Sequence, residues 1–245
     1  MEFTRLTDVR SQDGHLVPAY LLSPASPAAG VALAHGYGGC KEHMLGLAVR
    51  FAERGLAAAV FDIRGHGEHP APLGPAMLLD LEAILGFLRR SGRVAAVGHS
   101  LGGRLALLSS ADAVAAISPA LPQRPSEEGR AMLLQFGSTA VRSQTRGEIL
   151  QILRDLPALT PRARPTLLLY AEGDIPSLIE GVRTLAQAMP TAEIQVITTD
   201  QHQAADLPAT LLAYLPRWFN HIDLKANCEL YVKLPVWLTG KLSTR

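Results

Sequence analysis

Cysteine is scarce in this chain. Only Cys40 and Cys228 occur, too few for a disulfide framework or a thiolate metal cage, and two separate free thiols are expected. Aromatic residues make up only 5%, which argues against a platform for stacking nucleic-acid bases. No sign of charge predominates: 23 basic and 22 acidic residues leave a formal net charge of +1. Such a balance gives no general attraction to nucleic acid or to acidic membranes. No apolar run reaches the length of about 18 residues needed to span a bilayer. Met1-Glu2-Phe3-Thr4-Arg5 lacks the basic-then-apolar layout of an export signal, so a cytoplasmic protein is expected. Internal repeats and low-complexity tracts are missing as well. What the chain has in quantity is apolar surface: 48% of its 245 residues are hydrophobic. That suffices for a large core, which excludes disordered and fibrous classes, and the length suits one large α/β domain spanning 1–245.

The hydrophobic pattern has two parts. Phe3–Val9 and Leu16–Leu22 flank Gln12-Asp13-Gly14, and Asp-Gly between two strand-like runs predicts a hairpin. Beyond the Pro/Ala/Ser loop at Ser23–Gly30, short apolar runs alternate with helical stretches. The runs are Val31–Ala34, Ala57–Asp62, Val94–Gly98, Ala113–Ser118, Thr166–Ala171 and Ile194–Thr198. Strands apolar at successive positions are buried on both faces, as in a parallel sheet between helix layers. Helices are expected at Lys41–Arg54, Pro75–Arg90, Leu101–Ser109, Pro176–Met189 and Leu207–His221, with Pro216 bending or breaking the last. This order implies an open α/β sheet. Between Pro119 and Pro165 the rhythm fails: Ser126–Phe136 and Gln144–Leu156 read as helices with no strand between them. Insertions at strand C-termini build sites in this architecture, so the interval of about 120–164 is read as a lid, with Met132, Leu133, Leu134 and Phe136 either lining it or packing it onto the sheet.

The most informative residues are Gly98-His99-Ser100-Leu101-Gly102. They fit the G-x-S-x-G turn, in which a strand runs into a serine and a helix runs out. Small residues at both ends relieve a strained turn, and the helix N-terminus favours negative charge beside the serine. His35-Gly36-Tyr37-Gly38-Gly39 follows the run Val31–Ala34, without the Gly-Lys-Ser/Thr of a phosphate loop. Asp62-Ile63-Arg64-Gly65-His66-Gly67 ends the run before it. His66 and His69 lack a third ligand type nearby, so no metal centre is read from them.

With these motifs the chain resembles the α/β-hydrolase family, in its small esterase, dienelactone-hydrolase and prolyl-oligopeptidase-like branch, over about residues 14–221. The resemblance implies a mostly parallel central sheet with helices on both faces and a short helical lid. It implies an oxyanion hole from the backbone N–H groups of Tyr37 and Leu101, and a structural role for the Asp62–Gly67 turn. It also implies the chain order serine, acid, histidine. The acid lies in Tyr170-Ala171-Glu172-Gly173-Asp174, where Asp174 fits and Glu172 is the fallback. Two histidines follow Ser100. His202 sits just past the last apolar run and is the expected base; His221, at a helix end past Pro216, reads as a surface residue. The turn after Asp174 is shorter than usual in the family, and no glycine precedes His202.

The residue types imply an acyl-enzyme route needing no metal or organic cofactor, with His202 as base for Ser100 and Asp174 orienting it. The expected substrate is a small-molecule ester of small to medium acyl groups. A thioesterase, lactonase or peptidase would use the same residues, and a non-catalytic binding protein of the same fold is the reading from another class. The C-terminal extension of about 224–245 contains Leu230–Leu238, too apolar to be left in solvent. Three homes are open to it: its own domain, a twofold partner in a homodimer, or a membrane surface, the first being favoured.

Overall fold

The computed structural model describes residues 1–121, 124–145, 147–198 and 215–243, without the side chains of 136–139, 215, 216 and 219. The described residues form one eight-stranded sheet. β1 (Glu2–Leu6) and β2 (Ala19–Ser23) pair antiparallel, and β2 pairs antiparallel with β4 (Leu56–Phe61). From there the sheet is parallel, in the order β4, β3 (Ala29–Ala34), β5 (Val94–His99), β6 (Ala113–Ile117), β7 (Thr166–Ala171) and β8 (Ala192–Ile197). The hairpin strands are shorter than the apolar pattern suggests. Pro18 has no N–H to give the ladder, and beyond it only an isolated bridge, Arg10 to Leu16, joins the two arms. The Asp-Gly turn is present, with Gly14 at φ 87°.

The central strands are buried on both faces. On β3, Val31 and Leu33 face one side and Ala32 and Ala34 the other; β4 divides Ala58 and Val60 from Ala57, Ala59 and Phe61 in the same way. α1 (Leu45–Glu53) covers the first side. α2 (Leu78–Leu88), α3 (Leu101–Leu108) and α6 (Pro176–Ala188) cover the second. β8 departs from this pattern. As the last strand of the sheet it leaves Ile194 and Val196 about half exposed and buries Ile197.

The insertion between β6 and β7 contains α4 (Glu127–Ala140) and α5 (Glu148–Asp155). The Ser126 hydroxyl caps α4, accepting from the Gly129 N–H at 3.2 Å. Arg104 on α3 holds both feet of the insertion, donating to the carbonyls of Ala120, Leu121 and Pro157 at 3.3, 2.7 and 3.4 Å. Arg142, between α4 and α5, donates to the carbonyl of Gly67 at 2.8 Å and also reaches those of His66 and His69. Its own backbone bonds Gly65 and Leu73.

Only the end of the helix expected at Leu207–His221 lies among the described residues. It forms α7 (Leu215–Asp223), with Pro216 in its first turn, where a missing N–H costs no intrahelical bond. The tail then forms α8 (Cys228–Ser243). Leu230, Leu234, Leu238 and Leu242 recur every fourth residue and are buried against α1 and the sheet; each contributes about 1.5–3 kcal/mol. Lys241 pairs with Glu193 at 2.7 Å and ties the helix to β8. The leucine face of the tail is therefore buried against the rest of the chain, while Val232 and Val236 stay exposed. No helix among the described residues is long and apolar enough to cross a membrane.

Leu234→Ala should lower the stability by about 2–5 kcal/mol. Val232→Ala, on the exposed side of α8, should change it by less than about 0.5 kcal/mol. Urea unfolding of the two variants beside the parent chain checks both values.

Candidate active site

Ser100 occupies the sharp turn between β5 and α3, at φ 52° and ψ −112°. A non-glycine residue there is strained by about 1–3 kcal/mol and persists only where its surroundings enforce it. The enforcement is a network of backbone contacts. The Ser100 N–H donates to the Ile117 carbonyl at 2.9 Å, and the Ser100 carbonyl accepts from Ala120 and Arg104. A Cβ on Gly98 would lie 2.1 Å from the Gly102 carbonyl oxygen, and one on Gly102 would lie 2.3 Å from that of Ala34. No side chain fits at either position. The same contacts bring α3 against the end of β3.

The loop after β3 is held from the other side by two imidazoles. The first is His35, whose Nδ1 faces the Gly36 carbonyl at 2.8 Å while its Nε2 accepts from the Ile63 N–H at 3.1 Å. That pattern fixes the neutral Nδ1–H tautomer. His66 does the same, with Nδ1 facing the Arg64 carbonyl and Nε2 accepting from the Gly38 N–H, both at 3.1 Å. Burial holds both imidazoles neutral: His35 is pushed well below its ordinary value, and His66 is lowered to about 4. Between them the Gly36–Gly39 turn closes with a 3.0 Å bond, and Gly38 at φ 75° takes the position that favours glycine. The Tyr37 N–H, second in the turn, takes no part in that bond. Leu101 opens α3, so its N–H is among those a helix leaves without an intrahelical partner.

Asp62, at the end of β4, is fully buried and accepts from the backbone of Lys41 and Glu68 at 2.9 Å each and from the Lys41 ammonium at 2.8 Å. Arg64 pairs with Asp80 at 2.7 Å and with Asp13 of the hairpin turn at 2.8 Å. His69 faces Asp80 at 3.3 Å, so His66 and His69 serve different neighbours.

Asp174 follows β7 and is buried. Its carboxylate accepts from the Ile175 N–H at 2.6 Å and from the hydroxyl of Ser118. Ser118 ends β6 at φ 43°, a second strained serine one strand over from Ser100. Glu172 is exposed and reaches none of these groups. His202 lies outside the described residues. His221, expected at the surface, is instead only 2% exposed, with Nδ1 3.1 Å from Asp174 Oδ1. Two contacts bring α7 there. Gly173 lets Asn220 approach so closely that a Cβ would lie 2.4 Å from its amide nitrogen, and the Asn220 amide donates to the Gly173 carbonyl at 3.1 Å. His99 places its Nε2 2.8 Å from the His221 carbonyl, so that nitrogen carries the proton; its ring centroid is 4.9 Å from that of His221. Burial, then the neighbouring His221 and Lys225, keep His99 neutral.

Ser100, Tyr37 and His221 line one cavity of about 160 Å³, which Met132 and Leu133 of α4 overhang. A smaller apolar recess of about 30 Å³ also opens on Ser100, walled by Met132, Leu133, Ile175 and Leu178. Of the insertion residues expected at a site, Met132 and Leu133 line it, while Leu134 packs towards Gly147; the Phe136 side chain is outside the described residues. Ser118 and Lys225 stand in no sequence motif, and His99 fills an unspecified position of G-x-S-x-G. For His221 the signal was its being one of two histidines after Ser100.

The family model described as the alpha/beta hydrolase family matches residues 31–234. The chain belongs to the alpha/beta hydrolase family. Among solved structures it is similar to an esterase from Pyrococcus furiosus, at 15% identity and a TM-score of 0.68, covering 99% of this chain and 91% of that one. An esterase from Pyrobaculum calidifontis matches at 17% identity and a TM-score of 0.70, over 98% and 85% of the two chains. A thermophilic esterase from Thermogutta terrifontis matches at 16% identity and a TM-score of 0.66, over the whole of both. No curated protein matches the chain.

The buried histidines set an acid limit. His66 is neutral in the fold down to about pH 4, whereas its ordinary value is 6.5. Between these values the unfolded chain binds more protons, so the contribution of His66 to stability is full above pH 6.5 and is lost as the pH drops towards 4. His66→Gln should make that fall shallower, as read from urea midpoints across the window.

Proposed function

We propose that this hydrolase is a serine carboxylesterase, cleaving esters of small to medium acyl groups through an acyl-enzyme. The observation that carries the reading is Ser100, held at a strained φ in the same cavity as His221, whose far side is bonded to Asp174. A serine hydroxyl is a weak nucleophile until a base takes its proton. In this reading His221 is that base. Asp174 accepts from its Nδ1–H, which leaves Nε2 unprotonated and stabilises the imidazolium formed during attack. The Ser118 hydroxyl and the Ile175 N–H occupy the rest of the carboxylate and keep it aimed. The Ser100 oxygen attacks the ester carbonyl, and the oxyanion is received by the N–H groups of Tyr37 and Leu101, at the N-terminus of α3. Collapse of the tetrahedral intermediate expels the alcohol, which takes the proton from His221. Water, deprotonated by the same imidazole, then releases the acid and restores Ser100.

His202 is the second reading for the base. It is favoured by its position five residues after the end of β8, the strand next to the one that Asp174 follows.

Fluorophosphonate should label Ser100 and no other residue, as mapped by peptide mass spectrometry. Ser100→Ala should lose both the label and ester turnover, by about 10⁴-fold or more. His221→Ala and His202→Ala decide the base: the proposal expects the large loss in kcat at His221, and a near-normal His221→Ala beside an inactive His202→Ala overturns that assignment. Asp174→Asn should be severely impaired and Glu172→Gln nearly normal.

A further inference from the structure

The cavity beside Ser100 has a charged wall that the chemistry above does not use. Lys225 lies in the 3-10 turn Leu224–Ala226 that links α7 to α8, and it lines the cavity together with His43. It is half-buried, and its ammonium donates to the Ile222 carbonyl of its own turn. Among the described residues no carboxylate lies within ion-pair distance of it; Asp223 acts on it only from farther off. No Asp or Glu lines the cavity among the described residues. The other cations near the site are used up differently. Lys41 is surrounded by Asp62, Glu68 and Glu42, and Arg64 by Asp80 and Asp13.

A half-buried ammonium bonded to a single backbone carbonyl retains donors and a charge to satisfy. Burial disfavours its charged form, and an anion bound in the cavity would reverse that. The second space at Ser100, walled by Met132, Leu133, Ile175 and Leu178, offers no such group. The two spaces therefore suit two unlike arms of one ester.

We propose that the substrate is an ester with a carboxylate on one arm, bound by Lys225, and a short apolar group on the other, seated beneath Met132 and Leu133. Hydrolysis consumes one water and breaks one ester bond, leaving the carboxylate that Lys225 holds unchanged. This rests on the serine-esterase reading and names its substrate class.

Two pairs of esters test it, each matched in size: monoethyl succinate against ethyl butyrate, with the charge on the acyl arm, and O-acetylglycolate against propyl acetate, with the charge on the alcohol arm. In at least one pair the carboxylate-bearing ester should have the higher kcat/KM by about tenfold or more, the scale of one charge-assisted hydrogen bond. In Lys225→Met that ratio should collapse to one or below, and in Lys225→Arg it should return. A preference for the neutral ester in both pairs overturns the proposal, as does a ratio that survives Lys225→Met. Because each ratio is taken within one protein, partial loss of folded enzyme leaves it unchanged. If none of the four esters is cleaved, the esterase reading falls, and calorimetry then decides the anion site alone. Succinate binding to the full chain that Lys225→Met removes upholds the site; no binding, or binding that Lys225→Met leaves intact, overturns it.

Discussion

The site depends on how closely three stretches of backbone approach one another. The first turn of α3 rests on the end of β3 and folds back on the end of β5, at distances that exclude a Cβ on Gly98 or Gly102. This contact brings Ser100, Leu101 and the Tyr37 loop together, although the loop and Ser100 are more than sixty residues apart in the chain. It also imposes the strain at Ser100. Bonds from the Ile117 carbonyl and the Ala120 N–H hold that residue on either side, so the turn cannot relax without undoing the β5–β6–β3 arrangement. Packing of the sheet supplies the energy, and the turn converts part of it into a fixed serine orientation.

Around this contact the most deeply buried charges are met by several partners. Asp62 and Lys41 are both essentially inaccessible, and each has more than one partner. Where a partner would be lacking, the group is neutral instead. His35, His66 and His99 are pushed below their ordinary values by burial, and each is aimed by hydrogen bonds at its ring nitrogens. Neutral imidazoles organise loops at little desolvation cost.

Much of this is written locally in the sequence. The five central strands β3–β7 appear as apolar runs because burial on two faces leaves no room for alternation, and the G-x-S-x-G turn appears because its glycines answer a steric demand between near neighbours. β8 obeys the pattern least, since an edge strand needs only one face covered. The place of Asp174 was legible through the family resemblance, which points to a turn at a strand end, and Gly173-Asp174 occupies such a turn after β7. The environment of His221 was not legible. Its burial depends on Asn220 meeting Gly173 and on His99 meeting a backbone carbonyl, contacts across 47 and 122 residues of chain that no local pattern encodes. Ser118 is similar: its hydroxyl matters because β6 lies beside β7, a fact of sheet order. The tail's burial followed from hydrophobicity, while its helical form follows from leucines spaced by four residues.

Arg104 and Arg142 give the insertion an unusual mechanical character. One guanidinium on the helix that follows Ser100 grips the chain where the insertion leaves the sheet and where it returns, and a second pins its middle to the turn after β4. A cover fixed in this way is an arch clamped at both feet and at the crown, not a door on a hinge. Swinging it open would strip a buried cation of the carbonyls that solvate it. The space above Ser100 is therefore reshaped most cheaply by the rotamers of Met132 and Leu133, so exchange of these two side chains, rather than of the loops at either foot, is where the accepted size of a guest molecule would be set.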